Sequence, residues 1–252
     1  MLTLHPLNRP EEGFRTVPFS LAQRQRQPEL MDDPNLDSLL HLSALTGLKR
    51  INRLSRTTAQ LWQSIQNQRG VSRPGTLRIL DVGCGGGDTV FALEKLAVKD
   101  GVDLVAHGCD ISVGAIKIAR SKAAQQRTSA EFFELDVLGD QLPHGYHFLV
   151  SSLFLHHLSS PQVIALLGKM NEAAEVGVII SDLERLWRGY FLALLGTQAV
   201  TRSSVVHIDS RRSVSAAFRL EELRELARIS GLGEFELIRC WPCRMLLSWR
   251  TS

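Results

Sequence analysis

Residues 77–88 read LRILDVGCGGGD, and their interpretation decides the fold. Ile79, Leu80 and Val82 belong to an apolar run, and four glycines, Gly83, Gly85, Gly86 and Gly87, come within the next five positions. Such a run suits a strand buried on both faces of a parallel sheet. Glycines directly after it let the backbone turn and approach a ligand closely. Several nucleotide-type cofactors use a loop of this kind, so the glycines alone leave the ligand open.

Downstream of this motif, strand and helix patterns alternate. Strand-like runs at Leu104–Cys109, Ala130–Leu135, Tyr146–Ser152 and Val176–Ser181 are separated by helical spacing at Asp88–Val98, Ser112–Gln126 and Ser159–Ala173. Repetition of this unit implies an α/β fold, a parallel sheet with helices on both sides. A helix at Leu220–Ser230 then leads into Glu234–Trp241 and Arg244–Trp249, separated only by Pro242 and Cys243. So short a connection joins antiparallel strands. The expectation is a doubly wound, seven-stranded, mostly parallel sheet with an antiparallel hairpin at its edge. Upstream, residues 1–35 are polar and carry five prolines, which reads as an irregular arm. Between Leu36 and Gln68 apolar residues recur at helical spacing (Leu39, Leu42, Leu45, Leu48, Ile51, Leu54, then Leu61, Trp62 and Ile65), with Asp37 or Ser38 as a cap. The expected division is an arm and helical cap over 1–70 and a sheet domain over 71–252, with an insertion at 183–218.

Bulk properties exclude several roles. The chain has 252 residues, with 44% apolar and 22% charged, ordinary globular usage. Its net charge of +3 is small and the basic residues are scattered, which argues against a nucleic-acid partner; Lys49, Arg50, Arg53 and Arg56 read as a solvated helix face. The segment MLTLHPLNRPEEGF has no continuous apolar core, and Leu183–Val200 is broken by Glu184, Arg185 and Arg188. The expectation is therefore a cytoplasmic protein without a membrane span. Four cysteines do not make a disulfide framework at this length, and CWPC (240–243) has no second cysteine pair or histidine pattern beside it to complete a metal site. No metal is expected, and composition says nothing of the oligomeric state.

The acids around the glycines narrow the ligand. The spacing Gly83-x-Gly85-x-Gly87 is one residue shorter than the dinucleotide pattern, with Asp81 two residues before it and Asp88 directly after. Carboxylates beside a pyrophosphate would repel it, whereas they suit a ligand carrying an ammonium group. S-adenosylmethionine has an α-amino group, a sulfonium and no phosphate, so the loop favours it over NAD. Asp110 closes the second strand, 23 residues after Gly87, where an acid can accept both ribose hydroxyls. Asp136, in ELDV at the end of the third, can accept from an adenine amino group. Three acids at consecutive strand ends fit the crevice rule for ligand sites in open α/β sheets.

These motifs resemble the class I S-adenosylmethionine-dependent methyltransferases: LDVGCGGG matches their glycine motif, HGCDIS the ribose acid, ELDV the adenine acid, and FLVSSLFLHHL the fourth-strand motif of quinone and small-molecule members. The resemblance covers about Leu77–Ser252. It implies the strand order 3-2-1-4-5-7-6, with the methionine part of the cofactor near Asp81, Gly83 and Gly85, and with Cys84 and Gly87 also cofactor-binding. It also implies ribose at Asp110, adenine near Ile111, Asp136 and Val137, and Ser152–Leu153 below the sulfonium. Arms such as residues 1–70 often cover the cofactor and shape the acceptor pocket in relatives.

Residues just after the fourth strand bear on the acceptor. Position 151–154 is SSLF, not the Asn/Asp-Pro-Pro-aromatic turn that holds a planar nitrogen, so nucleobase N-methylation is not expected. An oxygen or enolic carbon acceptor must lose a proton, and His156 and His157 offer imidazoles at the rim. Asp182 and Arg185 could orient a phenol or carboxyl group. Leu186, Trp187, Tyr190, Phe191, Leu192, Leu194 and Leu195 in the insertion suggest a lipophilic or aromatic small molecule. The expected activity is O-methylation of an aromatic, polyketide- or quinone-like acceptor, with C-methylation of a quinone ring, or cofactor binding without catalysis, as alternatives.

Overall fold

β1 (Leu77–Val82) forms over the predicted run and lies inside a seven-stranded sheet. It pairs in parallel with β2 (Leu104–Asp110) on one side and β4 (Tyr146–Ser152) on the other, and only Arg78 of its six residues reaches solvent. β3 (Phe132–Glu134) adds in parallel to β2, and β5 (Ala174–Leu183) to β4. β7 (Arg244–Arg250) then runs antiparallel between β5 and β6 (Phe235–Cys240), giving the order β3-β2-β1-β4-β5-β7-β6. The doubly wound expectation holds. Because successive crossovers leave β1 in opposite directions, a crevice opens over the C-terminal ends of β1 and β4. The structure is a computed structural model, and it describes residues 21–32, 37, 39–40, 43–44, 46–47, 50–51, 55–70 and 75–251. The expectations for residues 1–20, Ser38, Leu42, Leu45, Leu48, Lys49, Arg53, Leu54 and residues 71–74 lie outside those residues.

Each sheet face is covered because alternate strand residues point to opposite sides. One layer joins Leu80, Val82, Leu149, Val178, Ile180 and Leu247 to α4 (Ser160–Ala173) and α8 (Leu220–Ile229). The other joins Ile79, Phe148, Val150, Ile179 and Leu246 to α2 (Asp88–Lys99) and to Leu61, Trp62 and Ile65 of α1 (Thr57–Arg69). α1 lies before residue 71 yet furnishes one layer of the sheet's own core. Helix starts follow their cap residues. Ser112 accepts from the Ala115 amide ahead of α3 (Val113–Gln126), and Gln162 accepts from the Ser159 amide ahead of α4. Asp37 accepts from the amides of Leu39 and Leu40, as a cap should, although the Leu39 side chain is exposed.

β2, β6 and β7 differ from the sequence reading by one or two residues at their ends, while β3 and β5 depart furthest, and pairing explains both. β3 is only three residues because it sits at the sheet edge with a single partner. β5 extends to Leu183 because β7 begins opposite it, Asp182 facing Met245 and Leu183 facing Arg244. The insertion folds as α5 (Trp187–Phe191), a π-helical turn (Leu192–Gly196), α6 (Thr197–Val200) and α7 (Ser204–Ala216). Residues 21–32 form a strap ending in a single 3-10 turn at Leu30–Asp32, whose Leu30 and Met31 amides donate to the Asp209 carboxylate of α7 at 2.8 and 3.0 Å. Among the described residues no helix is long and apolar enough to cross a membrane.

Gly177 of β5 has no room for a side chain. A Cβ there would lie 2.7 Å from the backbone oxygen of Trp249 on β7, which cannot move without breaking the β5–β7 ladder. Gly177→Ala is expected to cost about 1–3 kcal/mol in urea unfolding.

Candidate active site

The glycine loop is bound to the end of β2. Gly83 and Cys84 both donate to the Cys109 oxygen at 2.9 Å, and the Gly85 amide donates to Asp110 Oδ2 at 2.8 Å. Gly83, at φ 73°, has no room for a side chain: a Cβ would sit 2.6 Å from the Phe154 ring. Gly85, at φ 51°, has nothing within 4 Å of that position, so its backbone face is open to a ligand. Gly87 ends the loop as the N-cap of α2. The Cys84 side chain is buried and packs toward Gly108, leaving the backbone as the part of residue 84 beside the cleft.

The acids differ in what they do. Asp81 is 1% exposed, and neither carboxylate oxygen has a hydrogen-bond partner among the described residues. Burial, with the Asp110 charge adding to it, holds this acid well above the usual carboxylate range. A buried carboxylate without partners is costly unless a cation neutralises it. Together with the open face at Gly85, it fits a ligand that brings an ammonium group. Asp88, the other acid flanking the loop, is instead paired with Lys122 of α3 at 3.0 Å. Asp110 accepts from Gly85 and, through Oδ1, from the Ser112 amide at 2.9 Å, which fixes it at the rim. Ile111 beside it is 67% exposed, an apolar surface with no cover among the described residues. Asp136 lies just beyond β3, exposed, accepting from the Leu138 amide; Val137 points into the core. Ser152 ends β4, and Leu153, at φ 58°, donates its amide to the Ser181 oxygen at 2.9 Å.

The predicted histidines and Asp182 come together, with a partner the sequence did not suggest. His156 is 4% exposed; its Nδ1 lies 2.7 Å from Asp182 Oδ1 and its Nε2 3.7 Å from Glu29 Oε1 of the strap. Burial alone would lower its pKa, but the two carboxylates raise it to about 9, so this ring is an imidazolium. His157 stacks on it with ring centroids 4.3 Å apart. Burial and the neighbouring His156 charge lower its pKa to about 4, so this ring is neutral. Its amide donates to the Phe154 oxygen, and Phe154 itself packs on Gly83, so the histidine turn rests on the glycine loop.

The strap locks this turn. Arg24 Nη2 donates to the His156 oxygen at 2.7 Å and Arg26 Nη2 to the His157 oxygen at 2.6 Å, while the Arg24 guanidinium lies 3.6 Å from the centre of the Phe218 ring. Ser213 of α7 donates to Glu29 and fixes its carboxylate. Nothing in the sequence gave Glu29 a role at the site, because the strap reaches it through tertiary contacts alone. Arg185 has a different place from the one its spacing suggested. It is 1% exposed, with Nη1 and Nη2 on the Glu222 carboxylate at 2.9 and 2.5 Å, Nη1 also on the Ala217 oxygen at 2.6 Å, and Nε on the Leu21 oxygen at 3.1 Å. These bonds join the strap to α8 and use the donors an acceptor would need. Cys240 and Cys243 are free thiols whose pKa values burial raises, which disfavours thiolate chemistry at the CWPC turn.

Residues 79–177 match a family model described as a methyltransferase domain. A human mitochondrial tRNA N(3)-cytidine methyltransferase is 32% identical over 71 residues, 28% of this chain and 24% of that protein. A ubiquinone biosynthesis O-methyltransferase from Nitrosococcus oceani is 27% identical over 128 residues, 50% of this chain and 51% of its own. The chain thus spans a quarter to a half of the length of these curated relatives. Among solved structures, magnesium protoporphyrin IX methyltransferase from Synechocystis, with bound S-adenosylhomocysteine, shares the fold with a TM-score of 0.55 at 16% identity, over 87% of this chain and 90% of that one. S-adenosylmethionine is the cofactor of this family, and the buried acid, the open glycine face and the rim acid lie where the crevice rule places a ligand. Residues 79–177 are a methyltransferase domain, set in the fold of the S-adenosylmethionine-dependent methyltransferases.

Proposed function

We propose that the chain methylates an oxygen of a small, lipophilic aromatic acceptor, with His157 as the base. The observation that carries this reading is the histidine pair: a clamped cation, His156, keeps the stacked His157 neutral at the rim of the cofactor crevice. A neutral imidazole can take the proton that a phenol or enol must lose, and an imidazolium cannot. Asp81 and the backbone of Gly83 and Gly85 would hold the amino-acid end of the cofactor, Asp110 its ribose, and Ile111 and Asp136 its adenine. When bound, S-adenosylmethionine supplies a methyl group made electrophilic by the sulfonium. The protein aligns the acceptor oxygen, removes its proton through His157 Nδ1 or Nε2 and excludes water. Asp182, Glu29 and His156 act as positioning residues. The exposed Trp187, Phe191, Leu192 and Leu195 of the insertion support a lipophilic acceptor, as does the ubiquinone O-methyltransferase similarity, which is longer than the one to the tRNA enzyme.

Asp81→Asn separates cofactor binding from folding. Isothermal titration with S-adenosylhomocysteine is expected to show affinity lower by about 10- to 100-fold, the loss of one charge-assisted hydrogen bond. The melting temperature without ligand should stay level or rise, because a buried unpaired acid is removed.

For the base, His157→Ala is expected to lower kcat by on the order of 10²–10⁴ with S-adenosylhomocysteine affinity unchanged. A group with its pKa at about 4 is unprotonated above that pH, so the acid limb of wild-type kcat/KM should fall well below pH 6. Replacing the cation with His156→Gln should move that limb upward; an acid limb near 6.5 in the wild type would return His157 to packing. Methyl transfer to a panel of phenols and quinones, with the products resolved as O- or C-methylated, decides between the two acceptor chemistries.

Glu29, His156 and His157 each bring one donor atom within 4.8 Å of the others, so metal removal is a necessary control. With His157 as the base, dialysis against EDTA should leave the rate unchanged, and recovery only on adding a divalent ion would replace that role.

A further inference from the structure

Two buried arginines lie where β5 ends and β7 begins, and they differ in one respect. Arg185 has a partner for Nε, Nη1 and Nη2. Arg244, the first residue of β7, is 3% exposed, and its Nε and Nη1 have no hydrogen-bond partner among the described residues. Asp182 is the only carboxylate that acts on it electrostatically among the described residues, and that acid is already committed to His156. Burial lowers the Arg244 pKa only to about 10, so at neutral pH the group remains a cation. A buried guanidinium in this state is costly until an anion meets it.

Register shows where it lies. Asp81 is level with Val150 and Ile179, both in the core layer under α1 and α2. Ser181 and Leu183 come next on the same face by strand alternation, and Leu183 faces Arg244 across the β5–β7 ladder. The Ser181 hydroxyl, between Asp81 and Arg244 by register, is likewise buried without a partner among the described residues. Three unsatisfied polar side chains thus share one face: an acid on β1, a hydroxyl on β5 and a cation on β7. Leu183 packs under Leu21 of the strap and Tyr190, Ala193 and Val214 of the insertion, so the cation sits where these two elements roof the end of the sheet.

We propose that Arg244 anchors a carboxylate of the methyl acceptor, which makes the acceptor an aromatic acid. The inference rests on the small-molecule reading above. The cofactor's own carboxylate does not suit this position. In an amino acid the ammonium and carboxylate share one carbon, whereas β7 lies three strand spacings, about 14 Å, from β1, and Arg244 is four residues further along the sheet than Asp81. An acceptor carboxylate has no such tie to Asp81. It would satisfy the guanidinium's donors with a charge-assisted bond and hold the ring at the acceptor end of the crevice.

The test measures binding without turnover. With S-adenosylhomocysteine present, hydroxybenzoic, hydroxycinnamic and hydroxynaphthoic acids are titrated against their neutral amides, with sodium acetate and inorganic phosphate alongside. Wild type is expected to bind at least one acid tenfold or more tighter than its amide, and Arg244→Gln to lose that preference with S-adenosylhomocysteine affinity unchanged. Arg244→Lys, which keeps the charge, should recover part of it. Arg244→Met reports on folding: its melting temperature should match or exceed wild type, because an unpaired buried charge is gone. A marked drop would make Arg244 structural and overturn the proposal. No acid preference in wild type, a preference surviving Arg244→Gln, weaker cofactor-analogue binding, or equal binding of acetate and phosphate (an adventitious ion only) would each overturn it too. Methyl transfer is scored separately on the same compounds. Transfer without acid preference removes the anchor and leaves the proposed function; acid preference without transfer does the reverse.

Discussion

His156 lies between Asp182 of the central sheet and Glu29 of the N-terminal strap, and this bridge ties together parts of the chain that would otherwise be independent. The ring is buried, so its charge persists only because both carboxylates face it. Removing either acid would leave the buried ring with a single counter-charge. The strap depends on the bridge. Arg24 and Arg26 grip the carbonyls of the histidine turn, Asp209 binds the strap's last amides, and Arg185 reaches back to Leu21. All of these side chains carry charge into a region where backbone ends would otherwise lack partners.

The site uses charge in two opposite ways. Around His156 each charge has its counterpart, which suits a framework that must hold its shape. Along the face bearing Asp81, Ser181 and Arg244, polar groups are buried and unmatched among the described residues, which costs stability. Such groups are rare in folded proteins and concentrate where a ligand completes them. The matched cluster and the unmatched groups thus lie on opposite faces at the ends of β5 and β7. His157 stands at the junction, neutral because its neighbour is not.

Much of this was legible in the chain, and the reasons are local. β1 and β4 have the bounds the sequence implies, because each is paired on both sides along a mainly apolar run. Ser112 and Ser159 marked helix starts correctly, since capping depends on residues within one turn. Asp81 and the glycine spacing point to a cationic ligand from the chain alone. The histidine pair was visible too, though not which ring carries the proton. That depends on Glu29, 127 positions earlier in the chain. Arg185 and Arg244 show the limit most clearly: both are arginines beside apolar strand ends, and only the placement of Glu222 and the Leu21 and Ala217 carbonyls separates a saturated side chain from an unsatisfied one.

Sequence by itself determined the strand-and-helix alternation, the closing hairpin, the acids at three strand ends and a loop suited to a ligand without phosphates. Periodicity, turn chemistry and like-charge repulsion act over a few residues, and so can be read in one dimension. Tertiary structure alone decided that α1 completes the sheet's core, that the strap delivers Glu29, that Asp88 belongs to Lys122, and that Arg244 is buried with Nε and Nη1 lacking a partner among the described residues. Those outcomes turn on which groups meet across the fold, because burial and the distance to a counter-charge fix both the protonation of a side chain and its freedom to bind.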